Sequence, residues 1–268
     1  MSTINNYSPE LQELLAALDK QTGLVAMLAP SFPVVFDYPQ IVGKLHRLGF
    51  AYVIEVARGA AETNSQLLNE LHQNPTKRFI TSPCPTIYKL IETKYPHLKK
   101  YLSQADSPMI ATAKLLKNKY PGFRPVFIGP CLMKKNEASQ RHPELDILVL
   151  TYSEIQQVFE IKKIKNRRSD YLTGFDLIGF DTRLYSISGG LSQSAHLNES
   201  LTDDEYDVVS GAQMVNKSLE EFPNNKIRVL DILNCEGGCV AGPGIASPLT
   251  LEHRRQKIIA HWARAIKG

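Results

Sequence analysis

The stretch Asn234-Cys235-Glu236-Gly237-Gly238-Cys239-Val240-Ala241-Gly242-Pro243-Gly244 constrains this chain more than any other. Two thiols stand four residues apart in a segment where glycine and proline hold five of eleven positions. Glycine admits positive φ and lets another group come close to the backbone. A core strand gains little from that, whereas a loop wrapped around a bulky inorganic group gains a great deal. The chain has two other cysteines, Cys84 and Cys131, and both lie in turn-like surroundings: Thr81-Ser82-Pro83-Cys84-Pro85 and Ile128-Gly129-Pro130-Cys131. The expectation is that three loops converge and that four thiolates hold one metal site.

The rest of the composition narrows the classes. A chain of 268 residues can build one substantial core or two sublobes. A net charge of +4, from 31 basic and 27 acidic residues, is too mild to argue for nucleic acid. No basic run interleaved with aromatics argues for it either. The run from Lys162 to Arg168 reads as a solvated loop or helix end. No window approaches the ~18 to 20 apolar residues of a membrane span. Met1 to Lys20 is polar and acidic, unlike a secretory signal. A cytoplasmic protein is expected, bound to neither nucleic acid nor membrane. In that compartment cysteines seldom form disulfides and more often serve metals or catalysis.

Alternation of strand and helix dominates the chain. Ser8 to Lys20 reads as a helix capped by Ser8, with Pro9 in its first turn. Leu24 to Leu28 is a continuous apolar run, the mark of a parallel strand covered on both faces. Helices are expected over Pro39–Leu48, Glu62–Gln73, Ile87–Lys94, Met109–Lys119, Ser153–Glu160, Ala212–Glu221 and Leu251–Ile266. Strands are expected over Phe50–Val56, Arg78–Thr81, Pro125–Ile128, Leu145–Leu150, Tyr206–Ser210 and Ile227–Leu233. Arg167 to Asp181 has no clear period and reads as loop. This order implies an α/β fold of mainly parallel sheets flanked by helices. Sites in such sheets form off the carboxyl ends of the strands. Cys84, Cys131 and Cys235 each follow directly after an expected strand, which places all three on one rim.

Four thiolates suit a tetrahedral zinc site or an iron–sulfur cluster. Zinc ribbons use two close pairs, whereas this chain has one close pair and two distant singles. A cubane is larger and tolerates ligands from separate loops. Glycines after Cys235 would leave room for inorganic sulfides and offer them backbone N–H groups.

Three segments together resemble the signature loops of the iron-only hydrogenase catalytic domain, in the right order. They are Thr-Ser-Pro-Cys-Pro at 81–85, Pro-Cys-Leu-Met-Lys-Lys-Asn-Glu at 130–137 and Cys-Glu-Gly-Gly-Cys-Val-Ala-Gly-Pro-Gly at 235–244. Ala29-Pro30-Ser31, Ser107-Pro108-Met109 and Ser188-Gly189-Gly190 are fainter echoes. The likeness runs from about residue 20 through nearly the whole chain. It implies residues 1–20 as an N-terminal extension and 21–268 as the hydrogenase-like domain. Two α/β sublobes, about 21–125 and 126–268, would hold the cluster between them. It implies that Cys84, Cys131, Cys235 and Cys239 bind a [4Fe–4S] cubane, with Cys239 also bridging to a diiron subcluster in active members. Lys134 matches the family lysine that contacts a diatomic ligand on the diiron unit, and Glu137 the acid that follows it. Pro83, Ser107, Glu137, Gly189 and Gly238 are expected to border the cofactor.

The departures point elsewhere than turnover. Active members carry a proton-relaying cysteine directly before the first cluster cysteine, and this chain has Pro83. Methionines two residues before the second and third cluster cysteines are Gly129 and Leu233 here. The relay glutamates have no clear counterpart; Gln66 and Leu67 fall near one of them, and His196 after the glycine pair matches nothing. General acid catalysis needs a titratable group in hydrogen-bond range. The pattern resembles the family's sensory, relay-deficient branch: a cubane-binding domain reporting redox state or hydrogen, with a ferredoxin-like electron donor or a signalling protein as partner. A slow hydrogenase and a non-catalytic iron–sulfur assembly protein are the alternatives.

Overall fold

In the computed structural model, residues 7–81 and 83–266 are described. Ser82 of the first cysteine loop, Met1–Asn6 of the expected extension and the last two residues lie outside that range. The elements are α1 (Pro9–Asp19), β1 (Leu24–Leu28), α2 (Gln40–Leu48), β2 (Tyr52–Glu55), α3 (Ala57–Gln73), β3 (Phe79–Ile80), α4 (Pro85–Thr93), α5 (Pro108–Lys119), β4 (Arg124–Gly129) and α6 (Met133–Asn136). They continue with β5 (Leu148–Thr151), α7 (Tyr152–Ile161), α8 (Gly190–Ser194), β6 (Tyr206–Ser210), α9 (Ala212–Glu221), β7 (Val229–Leu233) and α10 (Leu251–Ile266).

Local chemistry explains most boundaries. Ser8 starts α1 by accepting the Leu11 N–H, and Pro9 needs no acceptor at the first position. Thr151 and Glu154 form a reciprocal capping box that starts α7. Helix α3 begins at Ala57, five residues before the expected Glu62. Its first turn, Ala57-Arg58-Gly59-Ala60, is buried mostly as small residues and carries too little apolar bulk to show a helical stripe.

Two parallel sheets result. One has the order β2-β1-β4-β5 and the other β3-β7-β6. All five residues of β1 and of β7 are buried, as central strands covered on both faces must be. Apolar residues of β1, β4, β5, α1, α2 and α7 form the largest core around the first sheet. Ile80, Ile87, Ile91, Leu98, Val215, Leu219, Phe222 and Ile232 pack the second.

The division of the chain differs from the expected cut near residue 125. Strand β3 belongs with β6 and β7, while β4 and β5 pair with β1 and β2. The chain leaves the first sheet after β2, returns along α5 to β4, and leaves again after β5. Parallel neighbours need crossover connections, so strands adjacent in sequence need not be adjacent in space. Between β1 and β4 the strand order of the first sheet reverses. A crevice opens at such a point, beyond the carboxyl ends of the strands.

Candidate metal centre

Three strands deliver the cysteines. Cys84 follows β3 and stands at the residue preceding α4, and Cys235 follows β7, the neighbour of β3. Thr81 ties the two exits together, because its hydroxyl accepts the Ile232 N–H at 3.2 Å. Cys131 follows β4 in the other sheet, and the two sheets' loops are joined where Gly244 N–H donates to Pro130 O at 2.8 Å. All four cysteines are free thiols, Cys84 buried and the others partly so.

The glycines of the third loop act differently from the sequence expectation. Gly237 N–H donates to Ser210 Oγ at 3.1 Å, and Gly238 N–H to Cys235 O at 3.0 Å. Their donors are committed to protein acceptors. Gly238 is needed for close approach: its φ is +104°, and a Cβ there would stand 2.7 Å from Ser186 O and 2.8 Å from Ser188 N. The loop is thereby pressed against the backbone of residues 186–188, where Ser188 N–H also donates to Gly237 O at 3.0 Å.

Each thiol lies in the others' electrostatic field. Burial pushes Cys235 up to about 11, with Cys84 and Cys131 adding to the rise. Burial raises Cys239 well above the ordinary thiol value; the other three cysteines push the same way and Lys134 opposes them. Cys131 is also raised by burial, against the Lys134 ammonium and the N–H groups of Met133 and Lys134. Burial thus disfavours the thiolate forms of Cys131, Cys235 and Cys239, and a cationic centre would offset that cost with release of protons. Among the described residues, no three or more His, Cys, Asp and Glu side chains are gathered as one metal ion would require.

Beyond Cys239 and Cys131 lies a cavity of about 60 Å³. Pro30, Pro83, Pro108, Met109, Phe127 and Leu233 make most of its wall, which is almost wholly apolar. Lys134 is on that wall, yet its ammonium donates to Glu137 Oε2 at 2.5 Å and to Pro83 O at 3.0 Å. Lys134 and Glu137 are 8% and 3% exposed, so this is a buried ion pair within the second cysteine loop, and the Lys134 bond to Pro83 O ties that loop to the first.

Of the other expected residues, Pro83 lines the cavity and accepts from Lys134 through its carbonyl. Glu137 holds Lys134 rather than facing the cavity. Ser107 does not reach the cavity: its Oγ accepts the Ile110 N–H at the start of α5, leaving Pro108 and Met109 on the wall. Gly189 is also absent from the wall. It takes φ +78° at the start of α8, and its nearest neighbour across space is Val208. A glycine there serves the turn.

Sequence reasoning missed Phe127 and Tyr152. The Phe127 ring stands where a side chain at position 129 would go; a Cβ on Gly129 would fall 2.4 Å from its edge. Tyr152 is fully buried, donates to Ala29 O at 3.0 Å and pairs with Ser31 Oγ at 2.8 Å, fixing the turn after β1. Burial raises its phenol well above the ordinary range. The signal was available, since Tyr152 follows β5 at the same rim as the cysteine loops. A second buried acid, Asp231 on β7, accepts from Ser192 N–H at 3.1 Å and from its hydroxyl at 2.8 Å. Burial raises its carboxyl.

Comparisons with known proteins agree with this architecture. Iron hydrogenase 1 of Clostridium pasteurianum is 26% identical over 257 residues, covering 76% of this chain and 45% of that protein. Cytosolic Fe-S cluster assembly factor NAR1 of Encephalitozoon cuniculi (strain GB-M1) is 25% identical over 191 residues, covering 63% and 52%. The chain thus spans about half the length of these two relatives. Among solved structures, an apo form of [FeFe]-hydrogenase HydA1 from Chlamydomonas reinhardtii superposes with a TM-score of 0.69 at 19% identity, covering 94% of this chain and 88% of that one. At that identity the likeness is one of fold. No helix among the described residues is long and apolar enough to cross a membrane. The family model described as iron only hydrogenase large subunit, C-terminal domain matches residues 22–243, and the chain belongs to that family.

Proposed function

We propose that the chain is a [4Fe–4S]-binding hydrogenase-like domain of the sensory kind, reporting redox state or hydrogen with little or no hydrogen turnover. The carrying observation is the contrast across Cys239: three strand exits bring four free thiols to one side, and on the other lies a cavity whose first-loop wall is Pro83. The donor set fits a cubane, because four thiolates arrive from three separate loops. When bound, the cluster would supply one-electron redox chemistry. Cys84, Cys131, Cys235 and Cys239 would hold it, and Lys134 would offset part of the thiolates' negative charge. A ferredoxin-like electron donor or a signalling protein is the proposed partner.

Proline has no group that gains or loses a proton, and Lys134 is held by Glu137 and the Pro83 carbonyl. A path for protons into the cavity therefore lacks its inner member. The test is iron and acid-labile sulfide per chain on anaerobically purified protein co-produced with diiron maturation factors, with an infrared spectrum alongside. About four irons with no CO or CN stretching bands, and no hydrogen evolution, support the reading. Turnover at rates like those of active hydrogenases overturns it, and absence of iron overturns the cubane itself. The likeness to proteins named as Fe-S cluster assembly factors favours one second reading, a non-catalytic assembly role. Transfer of the cluster to an apo acceptor protein would separate the two.

A further inference from the structure

We propose that the cavity beside Cys239 is a seat for a small apolar gas molecule and does not admit a diiron unit. The inference rests on the sensor reading above, for which it names the class of ligand. Volume comes first. The space is about 60 Å³, whereas a cavity of ~150 Å³ is the scale that takes benzene. A diiron unit, with its bridging sulfurs and diatomic ligands, has many more heavy atoms than benzene.

The wall comes second. The Phe127 ring occupies the room above Gly129, at 2.4 Å and 2.6 Å from a Cβ built there, and Ala29 Cβ stands 3.1 Å from it. Phe127 springs from β4, whose residues 126–128 are fully paired with β1, so the ring's base cannot retreat without moving the sheet. Pro30, Pro83, Pro108 and Pro130 contribute four more sides with few rotatable bonds and no N–H donor for an anionic ligand. Lys134 is the one cationic group on this wall, and two of its three donors are spent on Glu137 and the Pro83 carbonyl. A cyanide-like ligand would have to compete with a buried carboxylate for it.

What remains is a small, nearly apolar space. Its free surface is almost all apolar, so an apolar atom or molecule is held there by dispersion without any hydrogen bond, although the Tyr185 and Ser186 hydroxyls on the same wall lack a partner among the described residues. Here that space abuts the thiols of Cys131 and Cys239. Occupancy would therefore be felt beside the cluster's ligands, which is where a gas-dependent signal must begin.

Xenon is the probe. Met109 lines the cavity, while Met27 sits in the core of the first sheet and serves as control. The holoprotein carrying methyl-¹³C methionine is titrated with xenon pressure and the two methyl resonances are followed. The expected result is a saturable shift at Met109, none at Met27, and loss of the Met109 shift in Leu233→Phe and in Val56→Leu, which fill the space from two different strand ends. Two variants guard against one failing to fold. No saturable shift at Met109, or a shift that survives both fillings, overturns the proposal. So does the appearance of CO and CN bands with about two irons beyond the cubane after maturation. The xenon response needs no iron, so failure of the cubane reading, seen as colourless protein, is a separate outcome.

Discussion

The two sides of Cys239 are built on opposite principles. On the cluster side, burial raises the thiols of Cys131, Cys235 and Cys239, so their thiolate forms are costly until a cationic centre offsets the charge. On the cavity side Lys134 already has Glu137 and Pro83 and Ser31 has Tyr152, while the buried hydroxyls of Tyr185 and Ser186 are without a partner among the described residues. The two sides thus differ in kind: one gathers buried thiols, and the other is walled almost wholly by apolar side chains.

The largest effect is expected from Cys239→Ser. Loss of one of four thiolates should drop iron from about four per chain to a small fraction and bleach the cluster's absorption, while the xenon shift at Met109 persists. Retention of a full cluster would show that the four cysteines are not one donor set and would break the comparison. Next is Lys134→Met, which leaves Glu137 buried without its cation. The expected cost is about 3–5 kcal/mol in urea unfolding of the protein, with most of it recovered by adding Glu137→Gln. A cost under about 1 kcal/mol, the value of a solvated pair, would mean that Lys134 is free to serve a ligand.

Gly129→Met sharpens the cavity side. Overpacking against Phe127 should cost about 1–3 kcal/mol, and Phe127→Leu in the same chain should relieve it. The smallest effect is expected at Asp231, beneath the third cysteine loop. Its folded-state pKa is raised by burial, so the folded protein holds the proton more tightly than the unfolded chain does. That contribution to stability is lost as pH rises from the ordinary carboxyl range through the raised value. Asp231→Asn should melt close to the unsubstituted protein at pH 4 and above it at pH 7, because asparagine can still accept from Ser192. An unchanged difference across that range would place the charge elsewhere.

Much of the fold was legible because its signals are local. The apolar run Leu24–Leu28 announces a buried parallel strand, and Ser8, Pro9, Ser107 and Pro108 announce helix starts within a residue. The cysteine loops were legible for the same reason, each being a strand exit punctuated by proline or glycine. What escaped depends on contacts between distant segments. Nothing local in Phe79-Ile80 says that its partner is Val229-Leu230 rather than a nearer strand. Nor can Gly129 reveal that the ring two residues earlier folds back over it. The buried trio of Glu55, Arg183 and His261 joins β2, the segment before α8, and α10, with Glu55 Oε1 accepting at 2.7 Å and 3.0 Å. Each of its members reads as an ordinary surface charge in isolation. The Lys134–Glu137 pair could have been anticipated, since residues three apart meet on one helical face.

The interleaving of the two sheets has a consequence in time. Thr81, which ends the strand leading to the first cysteine, is hydrogen-bonded to a residue 151 positions later. During synthesis the first cysteine loop has no strand to lean on until β7 emerges, roughly 10 to 30 s later at the usual rate of elongation. Contacts so far apart in sequence also form late and slowly once the chain is free. The nascent chain therefore exposes Cys84 and Cys131 as unorganised thiols well before Cys235 and Cys239 exist. Insertion of the proposed cluster would thus be a late event, with the early thiols kept from oxidation until then.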